Sequence, residues 1–160
     1  MSKERLYIFD TTLRDGAQTQ GVHFSIDEKT KIAHALDDLG VDYIEGGWPG
    51  ANPSDTEFFH KGLELKNSTF TAFGMTKKTG RSAENDPGLS AILNSNTSAV
   101  CLVGKSWDFH VDVALGISNE ENLENIRETA NHFVKNNKEF MFDAEHFFDG
   151  YKSNQKYALE

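Results

Sequence analysis

A unit of about thirty residues repeats along this chain: a short apolar run, a polar loop, a capping residue, then a segment whose apolar side chains recur every three or four positions. It occurs four times and begins a fifth. The apolar runs predict strands at 5–10, 42–48, 69–75, 98–104 and 139–145, each rich in Ile, Val, Tyr or Phe. Three helix starts carry a hydroxyl followed three residues later by Glu, the pattern in which each side chain satisfies the other's free backbone N–H: Ser25/Glu28, Ser54/Glu57 and Ser118/Glu121. Behind Ser25 the apolar stripe is Ile32, Ala35, Leu36 and Leu39, closed by Gly40; behind Ser118 it is Leu123, Ile126, Ala130, Phe133 and Val134. Asp86-Pro87 predicts a shorter helix with proline in its first position and Leu89, Ile92 and Leu93 facing inward.

Strands alternating with amphipathic helices require a parallel sheet covered by those helices, either doubly wound or rolled into an eight-fold barrel. A doubly wound dinucleotide-binding sheet carries Gly-x-Gly-x-x-Gly after a strand, and no such run exists here. Closing an eight-stranded barrel takes roughly 250 residues. The 160 residues reach only the fifth strand, so the expected fold is α/β, a partial (β/α)8 barrel of about five βα units with open edges at its first and fifth strands. A helix predicted from Ser153 to Glu160 is too short to hold itself together in water, so this terminus reads as cut. Open edges predict a homo-oligomer, or a need for a further C-terminal half.

In β/α folds, functional groups gather where strands end and loops converge. The first strand leads into Asp10-Thr11-Thr12-Leu13-Arg14-Asp15-Gly16-Ala17-Gln18, which sets a carboxylate, a guanidinium and an amide at one tip. Asp15 can offer a hard oxygen to a divalent metal, Arg14 can stabilise negative charge developing beside it, and Gly16 permits a sharp turn. The second strand ends in Glu45-Gly46-Gly47-Trp48-Pro49-Gly50, the fourth in Lys105, Trp107, Asp108 and His110, and the fifth in Asp143, Glu145, His146 and Asp149. Taken singly, each of these also reads as a solvated loop residue or half of a structural salt bridge.

Other features narrow the function by exclusion. A formal charge of −9 without a Lys/Arg run argues against nucleic acid or an anionic membrane as partner. No apolar stretch approaches the roughly 18 residues of a membrane span, the start Met-Ser-Lys-Glu-Arg lacks a signal-peptide core, and the single Cys101 can form no internal disulfide, all of which suits a cytoplasmic protein. Cys101 lies in an apolar strand with no base nearby and reads as an inert buried thiol. Gly104-Lys105-Ser106 resembles the end of a phosphate-binding loop, but the first required glycine falls at Ala99. His110-Val111-Asp112 reads as a loop with a structural or substrate-adjacent role. The sequons at Asn67 and Asn96 read as chance occurrences.

Four stretches together carry a family resemblance: Asp10 to Gln18, Val41 to Pro53, Lys105 to Val111, and Phe142 to Lys152. The chain resembles the N-terminal part of the citramalate synthases along essentially its whole length. The first stretch is shared with a wider metal-dependent superfamily that includes 2-isopropylmalate synthase, homocitrate synthase and hydroxymethylglutaryl-CoA lyase. Gly-Gly-Trp-Pro-Gly and Asp-Ala-Glu-His-Phe-Phe-Asp-Gly point to the citramalate branch.

The resemblance implies that residues 1–160 are the N-terminal part of an acyltransferase barrel's catalytic domain. The parent enzyme would condense acetyl-CoA with an α-keto acid, pyruvate in the citramalate case, using a divalent metal such as Mg, Mn or Zn. It places Asp15 on the metal, Arg14 on the oxyanion, and Glu145 where it could deprotonate the acetyl methyl. Burial or a like charge would be needed to raise the Glu145 pKa for that task, and Asp143 and Glu45 could supply the charge. Gln18, Glu45 and Asp143 are expected at the substrate, with Lys105 and His110 nearby. The family completes its metal site with a His-x-His pair, which none of the six histidines here forms. The chain alone is therefore expected to be inactive. Isopropylmalate or homocitrate synthase is the alternative within the class, and a non-catalytic half-barrel binding module the alternative outside it.

Overall fold

A computed structural model describes residues 4–160. Five parallel strands lie side by side in chain order: β1 (Phe9–Asp10), β2 (Tyr43–Glu45), β3 (Thr69–Met75), β4 (Ala99–Lys105) and β5 (Glu139–Glu145). Helices α1 (Ile26–Leu39), α2 (Pro53–Lys61), α3 (Pro87–Leu93) and α5 (Asn119–Lys135) return the chain between them. A short α4 (Asp108–His110) runs into a π-type turn over Val111–Leu115, and α6 (Phe147–Ser153) and α7 (Gln155–Leu159) follow the last strand.

The sheet curls. Tyr43 on β2 and Glu139 on β5 are three strand spacings apart, roughly 14 Å in a flat sheet and too far for the two side chains to meet. Nevertheless the Tyr43 hydroxyl donates to Glu139 Oε1 at 2.7 Å, so the strands arc around a concave face as in half of a barrel. The partial (β/α)8 architecture expected from the strand–helix alternation is the one observed.

The core lies on the convex side. Ile44, Phe70, Ala72, Val100 and Leu102 point outward from the sheet and are buried by Ala33, Phe58, Phe59, Leu89, Ile92 and Phe133 of the helices. Burying side chains of this size contributes about 1.5–3 kcal/mol each. Phe59 stacks on Phe70 at 4.8 Å while Phe58 meets the same ring edge-on at 5.5 Å. Among the described residues no helix is long and apolar enough to cross a membrane.

Several local expectations need correction. Strands 69–75 and 139–145 form as predicted, and 98–104 shifts by one residue. The first strand shortens from 5–10 to Phe9–Asp10 because it has only the three-residue β2 beside it, although the Ile8 carbonyl still accepts from the Asp42 and Tyr43 N–H groups. The second stops at Glu45, where the chain turns through Gly46 and Gly47.

Ser25 and Glu28 form the full reciprocal cap, and Ser118 accepts from the Glu121 N–H. Ser54 does not cap: Pro53, with its fixed φ and no N–H, takes the first helical position and makes Asn52 the cap. The α1 stripe keeps Ile32 and Leu36 against the core but is rotated from the expected one, with Lys29, Ala33 and Asp37 buried and Leu39 77% exposed. His110-Val111-Asp112 is helical, not a loop, because Val111 is drawn into the core. The helix expected over 153–160 forms as α7, capped by Asn154 with Tyr157 buried, and α6 precedes it over a stretch where no helix was expected.

Asp37 ties α1 to the chain entering β3. Its carboxylate accepts from the backbone N–H groups of Lys66, Asn67 and Ser68 at 2.8, 2.8 and 2.7 Å. Burial pushes its pKa up, but these three donors outweigh burial and hold it down to about 2. A lowered pKa means stability that is present above the ordinary carboxylate range and lost as pH falls through the folded value. Asp37→Ala is expected to cost about 3 kcal/mol in urea unfolding at pH 7. The difference from wild type should shrink as pH falls from about 4 toward 2; a pH-independent difference would deny the carboxylate this role.

Candidate active site

The tip of β1 is a tight turn. Asp10 accepts from the Thr12 N–H at 2.9 Å, and the Thr11 carbonyl accepts from the N–H groups of Arg14, Asp15 and Gly16 at 2.9–3.2 Å. Leu13 is driven fully into the core, which turns Arg14 toward the concave side. There Arg14 Nε donates to Glu45 Oε2 at 2.6 Å and Nη1 to Asp15 Oδ1 at 3.2 Å, while the guanidinium lies 4.0 Å from the centre of the Phe73 ring. Trp48 meets Phe73 edge-on at 5.5 Å. The guanidinium is thus fixed by two carboxylates and a ring face.

Glu45 is fully buried, and its Oε1 has no hydrogen-bond partner. Burial raises its pKa, Arg14 opposes that rise, and the charges of Asp143 and Asp15 add to it. Cys101 feels the same interior: burial, then the charges of Glu45 and Asp143, push its thiol up to about 12, in keeping with an inert side chain. Asp143 therefore faces the concave side with Glu45.

Glu145 departs from expectation. Its carboxylate is paired with Lys105 Nζ, so its close neighbour is a cation and not the like charge expected from Asp143 or Glu45. Lys105 is thereby placed on Glu145 itself. His110 lies apart from this pair, packed against Trp107 at 4.6 Å and edge-on to His146 at 4.7 Å, with its Nδ1 buried and without a hydrogen-bond partner.

Gln18 is exposed in the turn after Asp15 and lines a cavity of about 290 Å3 with Arg14, Trp48 and Asn52. Asp15 is mostly exposed at the mouth, free to offer an oxygen outward. Among the described residues no group of three or more His, Cys, Asp or Glu side chains is placed to hold a metal ion. Asp15 is one donor without a set, so the residues present do not make up a metal centre.

The β2–α2 loop contains a network that amphipathic reasoning missed. Lys29 is buried inside α1 and donates to the Gly46 carbonyl at 2.9 Å and to Asp55 Oδ1 at 2.6 Å; Asp55 Oδ2 accepts from the Trp48 N–H at 3.0 Å. Gly47 has φ 147°, and a Cβ there would lie 2.6 Å from the Asp55 carboxyl carbon. The network sets Trp48, and through it Phe73 and Arg14. The signal available in the sequence was the spacing Lys29, Ala33, Leu36, which puts a lysine on the buried stripe.

A curled parallel sheet with charged side chains converging at its strand tips defines a partial β/α barrel. Residues 5–155 match the HMGL-like family, and the chain belongs to it. It is 50% identical over 159 residues to the (R)-citramalate synthase of Aquifex aeolicus, covering 98% of this chain and 30% of that protein. It is 34% identical over 146 residues to 2-isopropylmalate synthase 1 of Caldanaerobacter subterraneus, covering 91% and 36%. The chain thus spans about a third of the length of these relatives. Among solved structures, the HMG-CoA lyase of Bacillus subtilis shares the fold at TM-score 0.67 and 20% identity, over 88% of this chain and 46% of that one.

Arg14→Met strands a buried carboxylate and is expected to cost about 3 kcal/mol at pH 7, with most of the loss recovered by adding Glu45→Met. A raised pKa makes Glu45 a drain on stability that grows as pH rises, so the penalty should shrink toward about pH 4 in urea titrations. Additive penalties in the double variant would show that the pair is not coupled.

Proposed function

We propose that this chain forms the first part of an enzyme that condenses acetyl-CoA with pyruvate to give citramalate. The observation that carries the reading is the fixed Arg14 guanidinium, held between Glu45, Asp15 and the Phe73 ring at a strand tip. It is supported by the 50% identity to a citramalate synthase over 98% of the chain.

Carbon–carbon bond formation at a keto carbonyl develops an alkoxide on its oxygen. A donor already aimed and desolvated stabilises that charge without reorganising, and Arg14 is such a donor. Glu145 is the acceptor for the proton leaving the acetyl methyl, directly or through a water, and its pairing with Lys105 fixes where its carboxylate sits. Asp143 and Gln18 border the space for the keto acid. A divalent ion, Mg, Mn or Zn, would polarise the keto carbonyl when bound, and Asp15 offers it one oxygen. Because the described residues supply a single donor, we further propose that the 160-residue polypeptide does not turn over by itself. The open edges, with Leu6 80% and Ile8 49% exposed beside β1, fit a chain that self-associates or joins a complementary barrel half in the cytoplasm.

Citramalate and free thiol should be absent when the purified chain is given acetyl-CoA, pyruvate and manganese. They should appear when a C-terminal part corresponding to the rest of a citramalate synthase is added. In that reassembled enzyme Arg14→Ala should lower kcat by about 10²- to 10³-fold. Steady citramalate formation by the chain alone would defeat the inactivity claim. Calorimetry in which manganese and pyruvate bind no better after reassembly would favour a free-standing binding module. Light scattering that shows a monomer over a wide concentration range would count against sticky edges.

A further inference from the structure

Condensation of acetyl-CoA with pyruvate first gives citramalyl-CoA, which is still a thioester. Water must cleave it before citramalate and free thiol appear. Arg14 and Glu145 account for the carbon–carbon bond and leave the water step without a base. Two residues beyond the tip of β5, His146 and Asp149, take no part in that first step.

They form a pair, with His146 Nδ1 3.2 Å from Asp149 Oδ2. An ionised carboxylate only accepts, so Nδ1 carries the hydrogen, and Nε2 of the neutral ring is left with the lone pair. Among the described residues no hydrogen bond engages that Nε2. The His146 side chain is 49% exposed, so water reaches it. The ring makes no side-chain hydrogen bond to the backbone at the start of α6, so the pair is not a helix cap. A carboxylate that orients an imidazole whose other nitrogen is open is the arrangement of a general base.

The pair is held from both sides. His110 meets the His146 ring edge-on at 4.7 Å, and Trp107 packs on His110 at 4.6 Å. Ser106 Oγ donates to the Glu145 carbonyl at 2.7 Å, which fixes the peptide entering His146, and Gly150 seats α6, with Asp149 in it, on Ser106 and Trp107. His146 sits at φ 54°, a left-handed conformation that costs a residue with a side chain and persists where the surroundings enforce it. In the same wall Trp107 Nε1 and His110 Nδ1 are buried without a hydrogen-bond partner, and buried groups of that kind are rare away from working sites.

Adjacent Cα atoms are about 3.8 Å apart, so His146 flanks the base that serves the acetyl methyl. That methyl carbon is bonded directly to the thioester carbonyl. We propose that His146 is the general base for hydrolysis of the thioester made by condensation, with Asp149 as the residue that positions its ring. Water attacks the thioester carbonyl carbon as its proton passes to Nε2. Collapse of the tetrahedral adduct breaks the C–S bond, and the departing thiolate takes that proton from the imidazolium. One citramalyl-CoA and one water thus give citramalate, coenzyme A as the thiol and one proton released to solvent. The assignment rests on the condensation reading above.

The test uses the enzyme reassembled with its C-terminal part, given either citramalyl-CoA or acetyl-CoA with pyruvate, with citramalate and citramalyl-CoA followed by mass spectrometry and thiol by disulfide exchange. His146→Asn suits the left-handed backbone and removes the base. It should hydrolyse supplied citramalyl-CoA about 10²- to 10⁴-fold more slowly, and should accumulate citramalyl-CoA when given acetyl-CoA and pyruvate. Asp149→Asn should slow hydrolysis about tenfold or more. His146→Gly is the second variant should the first misfold by circular dichroism, and added imidazole should restore part of its hydrolysis, which a structural role would not allow. Hydrolysis by His146→Asn at the wild-type rate, or equal loss of condensation and hydrolysis, overturns the proposal. A wild-type enzyme that hydrolyses citramalyl-CoA but never forms it would sink the condensation reading and leave the base assignment standing. One that forms the thioester without hydrolysing it would do the reverse, and one that does neither defeats both.

Discussion

The Arg14–Glu45 ion pair sets the geometry on which the other strand-tip groups depend. A carboxylate with no exposed surface is costly to desolvate and persists only beside a well-placed cation. Arg14 meets that need with Nε, which leaves the rest of the guanidinium to span Phe73 and Asp15. Because Glu45 ends β2 and Arg14 follows β1, the pair also fixes how the tips of the two shortest strands face each other. Asp15 is left outside the pair, at the mouth, where an oxygen ligand can still be offered.

Around this pair the second rim of the mouth is built as one piece. Gly150 of α6 packs so closely on the Ser106 carbonyl and Trp107 Cα that no side chain could be accommodated, and Asn154 donates to Asp108 at 2.9 Å. His146, between Glu145 and α6, has φ 54°, an unusual conformation for a residue with a side chain. These contacts bind the ends of β4 and β5 together, and with them the Lys105–Glu145 pair. On the opposite rim, Lys29 and Asp55 hold the β2–α2 loop in the same manner.

Much of this could be read in the sequence. Strands β3 and β5 run as predicted because each is a continuous run bounded by turn-forming residues, and Arg14, Asp15, Lys105 and Glu145, nominated from the strand ends, lie at those ends. What escaped was partnership. Amphipathic reasoning sends charges outward, so it passed over Lys29 and Asp37 on the buried face of α1 even though their spacing with Ala33 places them there; the backbone groups that retain them come from distant parts of the chain. Ser54 was the cap expected for α2, but Pro53 takes the first helical position and makes Asn52 the cap. The Glu145 environment was misjudged for the same reason: a linear order of tips does not say which side chains meet across them, and Lys105 reached Glu145 first.

The strands lie in the sheet in the order in which they occur along the chain, each paired with the one before it. Every new strand therefore finds its docking edge already in place, at the short loop-closure cost of one intervening helix. Such an arrangement can be laid down progressively as the polypeptide leaves the ribosome, unit upon unit from the N-terminus. The growing arc then presents its newest edge to whatever is synthesised or recruited next.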